Sequence, residues 1–151
     1  MENENAEIRG IKVGDEAVYD MEITKEAVQT FADVTGDHNP VHLDEEYAKD
    51  TMFKKCIAHG MLSAGLISKV IGTQLPGYGT IYLGQTLNFK RPVYIGDTIT
   101  TVVTVQKMKP EKNILTLDTV CKNQDGKVVI DGEATVMIPD PIENPKKQHK
   151  D

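Results

Sequence analysis

Residues 59–73 read HGMLSAGLISKVIGT, and the nature of this run decides the fold. Met61, Leu62, Ala64, Leu66, Ile67, Val70 and Ile71 are compatible with a helix, yet they spread around most of its circumference. A helix that is apolar nearly all round is buried on most of its sides. Its Gly and Ser residues are poor helix formers in isolation. They make sense where another backbone must approach closely. The wider run, Met61 to Leu75, is interrupted by Lys69 and Gln74 and is too short to span a bilayer. The segment therefore reads as a central helix inside a protein core.

A buried helix needs a cover, and the second half of the chain supplies one. In Ile81–Arg91 the apolar Ile81, Leu83, Leu87 and Phe89 alternate with Gly84, Thr86, Asn88 and Lys90. Thr98–Val105 is rich in Thr and Val, and Ile114–Cys121 follows a turn at Pro110–Asn113. Asp125-Gly126 is a hairpin signal. In the last strand Val128, Ile130, Ala134, Val136 and Ile138 are expected on one face. Strands joined by short turns make an antiparallel sheet with one buried face and one wetter face.

Before the central helix, residues 17–23 can form a first strand. Thr24 is a suitable N-cap for a helix carrying Ala27, Val28, Phe31 and Ala32, with Gly36 just past its end. Asp44 can cap a short helix in DEEYAKD. The expectation is an α+β hot dog arrangement, a curved antiparallel sheet wrapped around one buried helix. It occupies residues 10–139 as a single domain, between a flexible N-terminus over 1–9 and a polar tail over 140–151.

Composition narrows the function. A chain of 151 residues is the size of one domain. A net charge of −6 argues against nucleic acid, whose phosphates call for a basic face. No cationic, apolar leader opens the sequence. Cys56 and Cys121 lack C-x-x-C spacing and read as two free thiols. Together these features point to a cytoplasmic address with neither membrane nor nucleic acid as partner.

The chemistry concentrates in TGDHNPVH, residues 35–42. Taken singly, Asp37 and Asn39 are ordinary turn formers. A metal site on His38 and His42 with Asp37 or Asp44 is disfavoured, because Pro40 disrupts helical register between the histidines. Pro40 also fixes its own φ and restricts Asn39. That stiffness suits a loop holding one carboxylate and one imidazole for proton transfer near neutrality.

The run GDHNPVHLDEEYA at 36–48 resembles the hydratase motif of the MaoC-like (R)-specific enoyl-CoA hydratases. AHGMLSAGLIS at 58–68, LPGYGTIYLGQTLNFKRPVYIGD at 75–97 and the closing DGEATVMIP are also similar to that family, so the resemblance spans roughly residues 10 to 139. It implies that Asp37 and His42 are the catalytic pair and that Ser68 assists from the central helix. It also implies that the backbone N–H of Gly60 binds the thioester oxygen. The implied reaction is reversible hydration of trans-2-enoyl-CoA to (R)-3-hydroxyacyl-CoA, with no metal or organic cofactor. Helix N-terminal amides suit the enolate-like oxygen, and a glycine there lets the carbonyl come close.

Around this pair, Asn39 is expected to brace the loop, His38 to be solvated and His59 to pack or orient. Tyr47, Tyr78 and Tyr82 are candidates for lining an acyl pocket, and Lys90 and Arg91 for meeting coenzyme A phosphates. A hot dog thioesterase is the main alternative, weakened because no acid lies between His59 and Thr73. A 3-hydroxyacyl-carrier-protein dehydratase and a non-catalytic acyl-CoA binding module also stand. The exposed edges of a single sheet around one helix, together with the resemblance, imply a homodimer.

Overall fold

The structure is a computed structural model that describes residues 7–140. Residues 7 and 8, expected to belong to a flexible N-terminus, instead form a strand. Glu7–Ile8 (β1) pairs with Ile11–Lys12 (β2) across a turn in which Arg9 and Gly10 take positive φ. Ile8 is buried against the core, and that burial ties the hairpin down. The tail from residue 141 and His149 lie outside the described residues.

Glu16–Glu22 (β3) leads into Lys25–Thr35 (α1). Thr24 caps α1 by accepting from the Ala27 amide at 3.0 Å, and Gly36 ends it at φ 82°. Two single-turn helices follow, Pro40–Leu43 (α2) and Glu45–Ala48 (α3). Asp44 caps α3 through the amides of Glu46 and Tyr47. The central helix is Gly60–Thr73 (α4). Strands Ile81–Gln85 (β4), Asn88–Phe89 (β5), Thr98–Lys109 (β6), Ile114–Lys122 (β7) and Val128–Met137 (β8) complete the chain.

The large sheet runs β3-β6-β7-β8-β4, every neighbour antiparallel, with β5 also on β8. Its inner face is written in alternation. Ile99, Thr101, Val103 and Val105 of β6 and Leu115, Leu117, Thr119 and Cys121 of β7 are all buried. They meet Ala64, Leu66, Ile67, Val70 and Ile71 of α4 in one core. This is the expected hot dog arrangement.

Three details depart from simple alternation. A bulge near Gln106 resets the phase of β6, so that Met108 rather than Lys107 turns inward. A second bulge in β8 buries Val129 beside Ile130 and leaves Val128 only partly covered, where the pattern predicts Val128 on the inner face. The third is α4 itself, whose circumference is not wholly covered. Met61, Gly65 and Ser68, at helical spacing, form an exposed stripe. The apolar face expected of residues 81–89 is open too, with Ile81, Leu83 and Phe89 exposed on the sheet edge.

Candidate active site

The 35–42 loop is built by local hydrogen bonds that its sequence dictates. The Asn39 side chain accepts from the Val41 amide at 3.2 Å and caps α2, with Pro40 in the first helical position. The Asp37 carboxylate accepts from the Asn39 amide at 3.3 Å. Asn39 therefore braces the loop, as its residue type suggests. His38 turns away: its Nε2 meets the Asp33 carboxylate at 2.9 Å on the surface, and that contact holds its pKa above the ordinary value.

His42 is fixed from the opposite side. Its Nδ1 lies 2.7 Å from the carbonyl oxygen of Ile57. A carbonyl can only accept, so Nδ1 carries the proton and Nε2 keeps its lone pair. Burial lowers the His42 pKa, the Ile57 hydrogen bond and Asp37 act the other way, and the neighbouring His59 adds to the lowering. His42 thus presents a neutral, base-competent Nε2 at neutral pH.

His59, expected to pack or orient, completes the cluster. It is 3% exposed, its ring stacks on that of His42 with centroids 3.8 Å apart, and Phe31 packs against it at 4.7 Å. Its Nε2 lies 3.0 Å from the backbone oxygen of Asp37. Asp37, His42 and His59 each bring one potential ligand atom within 4.8 Å of the others. Stacked rings direct their nitrogens side by side rather than at a common point, and one nitrogen of each is committed to a carbonyl. The trio reads as a hydrogen-bonding cluster. One water at ordinary hydrogen-bond length, about 2.8 Å from each group, spans the separation of Asp37 and His42.

A cavity of about 510 Å³, lined by Phe53, Ile57, Gly60, Met61, Ser63 and Phe89 among others, adjoins the 57–60 segment. Asp37, His42 and His59 are not part of its lining, and His42 faces a smaller cavity instead. Gly60 and Met61, the first residues of α4, form part of its wall. His59 precedes them in the cap position and offers no side-chain cap, which leaves first-turn amides for a ligand. The Phe89 ring lies so close that a Cβ on Gly60 would stand 2.7 Å from one of its carbons. Lys90 and Arg91 line the same cavity, and the Arg91 guanidinium donates to the Val128 carbonyl at 2.8 Å.

The structure gathers Asp37, His42 and Gly60 around the Ile57–Gly60 segment, with Lys90 and Arg91 at the adjoining cavity. It does not gather the rest. Ser68 stands on the exposed stripe of α4, away from the cavity lining, whereas Ser63 lines it and is fully buried with its hydroxyl unpartnered. Tyr82 is 39% exposed on the edge strand and bonds its hydroxyl to the Gln85 side chain rather than facing the cavity. Tyr47 and Tyr78 are exposed as well.

A hot dog domain with a carboxylate and an imidazole on a proline-stiffened loop, next to the open N-terminus of the central helix, defines a single class. The chain belongs to the MaoC-like domain family, whose model matches residues 10–125. It is 54% identical over 129 residues to the (R)-specific enoyl-CoA hydratase of Rhodospirillum rubrum, covering 85% of this chain and 89% of that one. It is 40% identical over 137 residues to a mitochondrial 3-hydroxyacyl-[acyl-carrier-protein] dehydratase of Solanum lycopersicum, 89% and 82% covered. Among solved structures, the (R)-hydratase of Aeromonas caviae superposes with a TM-score of 0.85 at 42% identity, over 87% of this chain and all of that one. Among the described residues, no helix is long and apolar enough to cross a membrane.

Proposed function

We propose that this protein is an (R)-specific enoyl-CoA hydratase that adds water reversibly to trans-2-enoyl-CoA. The observation that carries the reading is the Asp37–His42 pair, whose potential ligand atoms lie within 4.8 Å of each other, a span one water can bridge. His42 Nε2 withdraws a proton from the water that Asp37 also holds, and the oxygen bonds to C3. The electrons of the C2–C3 double bond move onto the thioester oxygen, where the Gly60 N–H and the helix dipole stabilise the negative charge. Collapse of the enolate takes a proton from the Asp37–His42 pair at C2. One O–H bond and the C2–C3 π bond break, one C–O and one C–H bond form, and no electrons leave the substrate, so the step calls for no redox cofactor; the reading uses no metal. In this reading Lys90 and Arg91, which line the cavity, meet the coenzyme A portion.

The working unit in this reading is a homodimer. Ile81, Leu83 and Phe89 on the sheet edge and Met61 on α4 are exposed apolar groups, and an open apolar edge invites pairing with a second copy. Sedimentation equilibrium is expected to give twice the 16.7 kDa of one chain, and a fully active monomer refutes the dimer.

The decisive assay follows loss of the conjugated enoyl absorbance of trans-2-butenoyl-CoA, with and without chelator, against release of free thiol. Chiral analysis of the product should return the (R)-3-hydroxyacyl thioester. Thiol release without hydration identifies a thioesterase instead, and loss of activity on chelation overturns the metal-free mechanism. The same assay on acyl-carrier-protein thioesters ranks the two carriers.

A further inference from the structure

We infer that His59 is a positioning residue, whose hydrogen bond to the Asp37 backbone and stacked ring hold Asp37 and His42 in reacting geometry. The role rests on the hydratase reading but is built from a separate set of contacts. Two chain segments face each other here, the 36–43 loop with α2 and the 57–59 run before α4. Each sends one histidine into the backbone of the other. His42 of the first donates to the carbonyl of Ile57, and His59 of the second donates to the carbonyl of Asp37. The Ile57 amide adds a bond to Val41, and the Ala58 amide ties the second segment to Val93 at 2.7 Å. The two imidazoles stack between these bonds.

The asymmetry of His59 argues for a task beyond packing. One nitrogen is spent on the Asp37 carbonyl, and Nδ1 is buried with no partner. An unpartnered polar atom in a core costs stability that an apolar ring of similar shape would not cost. A residue serving only to fill space is better made as Phe. What the imidazole adds is a donor to the Asp37 carbonyl. Among the described residues it is the one tie from α4's side of the site to a residue otherwise held by its own loop through Thr35 and Asn39. Misplacing a reacting group by about 1 Å can cost 10²-fold in rate.

Two substitutions separate donor from ring. His59→Gln keeps an N–H donor near Nε2 without the ring, and His59→Phe keeps the ring without the donor. His59→Phe should lower kcat about 10–10²-fold with KM little changed, and His59→Gln should recover most of that loss. Burial is the main cause that lowers the His42 pKa, and the charge of His59 adds to it; both variants remove that charge, so the acid limb of kcat/KM should move to higher pH in both. The other ionisable groups around His42 stay in place: Asp37 in the loop, and Lys25 of α1, Glu45 of α3 and Cys56, which line the small cavity beside it.

NMR titration of the His42 ring reports the same shift without any substrate. An upward shift in both variants, with rescue by Gln, supports the proposal. Wild-type turnover in His59→Phe, or a His42 titration unmoved in both variants, overturns it. If the Phe variant does not fold, His59→Ala takes its place: a kcat loss of about 10–10²-fold that His59→Gln largely restores supports the role, and wild-type turnover in His59→Ala overturns it. A wild-type chain without hydratase activity refutes the function proposed above, while the His42 titration still decides the positioning role.

Discussion

Substituting Gly60 by alanine separates the stability of this fold from its chemistry. Gly60 opens α4 with no positive φ, so the backbone accepts a Cβ. That Cβ would lie 2.7 and 2.9 Å from two carbons of the Phe89 ring. Carbon pairs are comfortable near 3.5 Å, so the ring must retreat by roughly 0.8 Å. Phe89 is 53% exposed, and such a retreat costs about 0.5–1.5 kcal/mol in rotamer strain. Alanine returns part of the roughly 0.5–1 kcal/mol by which glycine weakens a helix. The two effects offset each other, and Tm should move by no more than about 4 °C.

Activity should behave differently, because the new methyl group stands where the thioester oxygen must reach the first-turn amides. Losing such a donor costs about 10²–10³ in kcat. Thermal melts alongside enoyl-thioester hydration measure both quantities. A Gly60→Ala/Phe89→Ala pair removes the displaced ring but leaves the methyl, so it should stay as slow as Gly60→Ala. Hydration by Gly60→Ala at the wild-type rate would refute the reasoning, and recovery in the double variant would assign the loss to the ring.

Asp37→Asn and His42→Ala should each lose about 10²–10⁴ in kcat with little change in Tm, and the double variant should be hardly slower, because one water serves both groups. Near wild-type turnover in both single variants, read by the hydration assay, counts against the pair. The His42 pKa is lowered in the fold, so the acid limb of kcat/KM should fall below the ordinary imidazole value of about 6.5. The same group destabilises the fold as pH drops through about 6.5, where the unfolded chain takes the proton first, and contributes nothing above it; urea midpoints across that range check the sign. Gly132→Ala would place a Cβ 1.9 Å from the Thr86 backbone oxygen, and Thr86 is tied to Glu133 by two hydrogen bonds of 2.9 Å. It should cost about 2–4 kcal/mol, a Tm drop on the order of 4–16 °C by calorimetry.

Local chemistry made much of this legible. Thr24, Gly36 and Asp44 cap or end helices through atoms within three or four residues of themselves, so their residue types alone place the boundaries. The alternation of β6 and β7 is likewise local. The phase of β8 is not, because the bulge at Val129 answers to β7 across the sheet rather than to its own neighbours. Ile81, Leu83 and Phe89 carry the pattern of a buried face, yet among the described residues that face stays largely exposed. At the site, Asp37, Asn39 and His42 share one rigid loop and are visible together. His59 is not, since its partner is the carbonyl oxygen of Asp37, 22 residues away, and a backbone atom leaves no trace in residue identity. Ser63 and Ser68 sit on the same helix, and only the packed sheet distinguishes the one facing the cavity from the one facing outward.

The position of β8 has a consequence for how the chain is made. It is the last strand among the described residues, yet it lies inside the sheet, with β7 on one side and β4 and β5 on the other. Until residues 128–137 have been synthesised, β4 and β5 have no neighbour, and the wall of α4 that they help to form is missing. At roughly 5–20 residues per second, ribosomes take several seconds to travel from the end of α4 to the start of β8. During that interval the nascent chain carries its most apolar helix without a closed sheet around it. The sheet can therefore close only once β8 has been made, and a chain cut before residue 128 lacks the strand that joins β7 to β4 and β5.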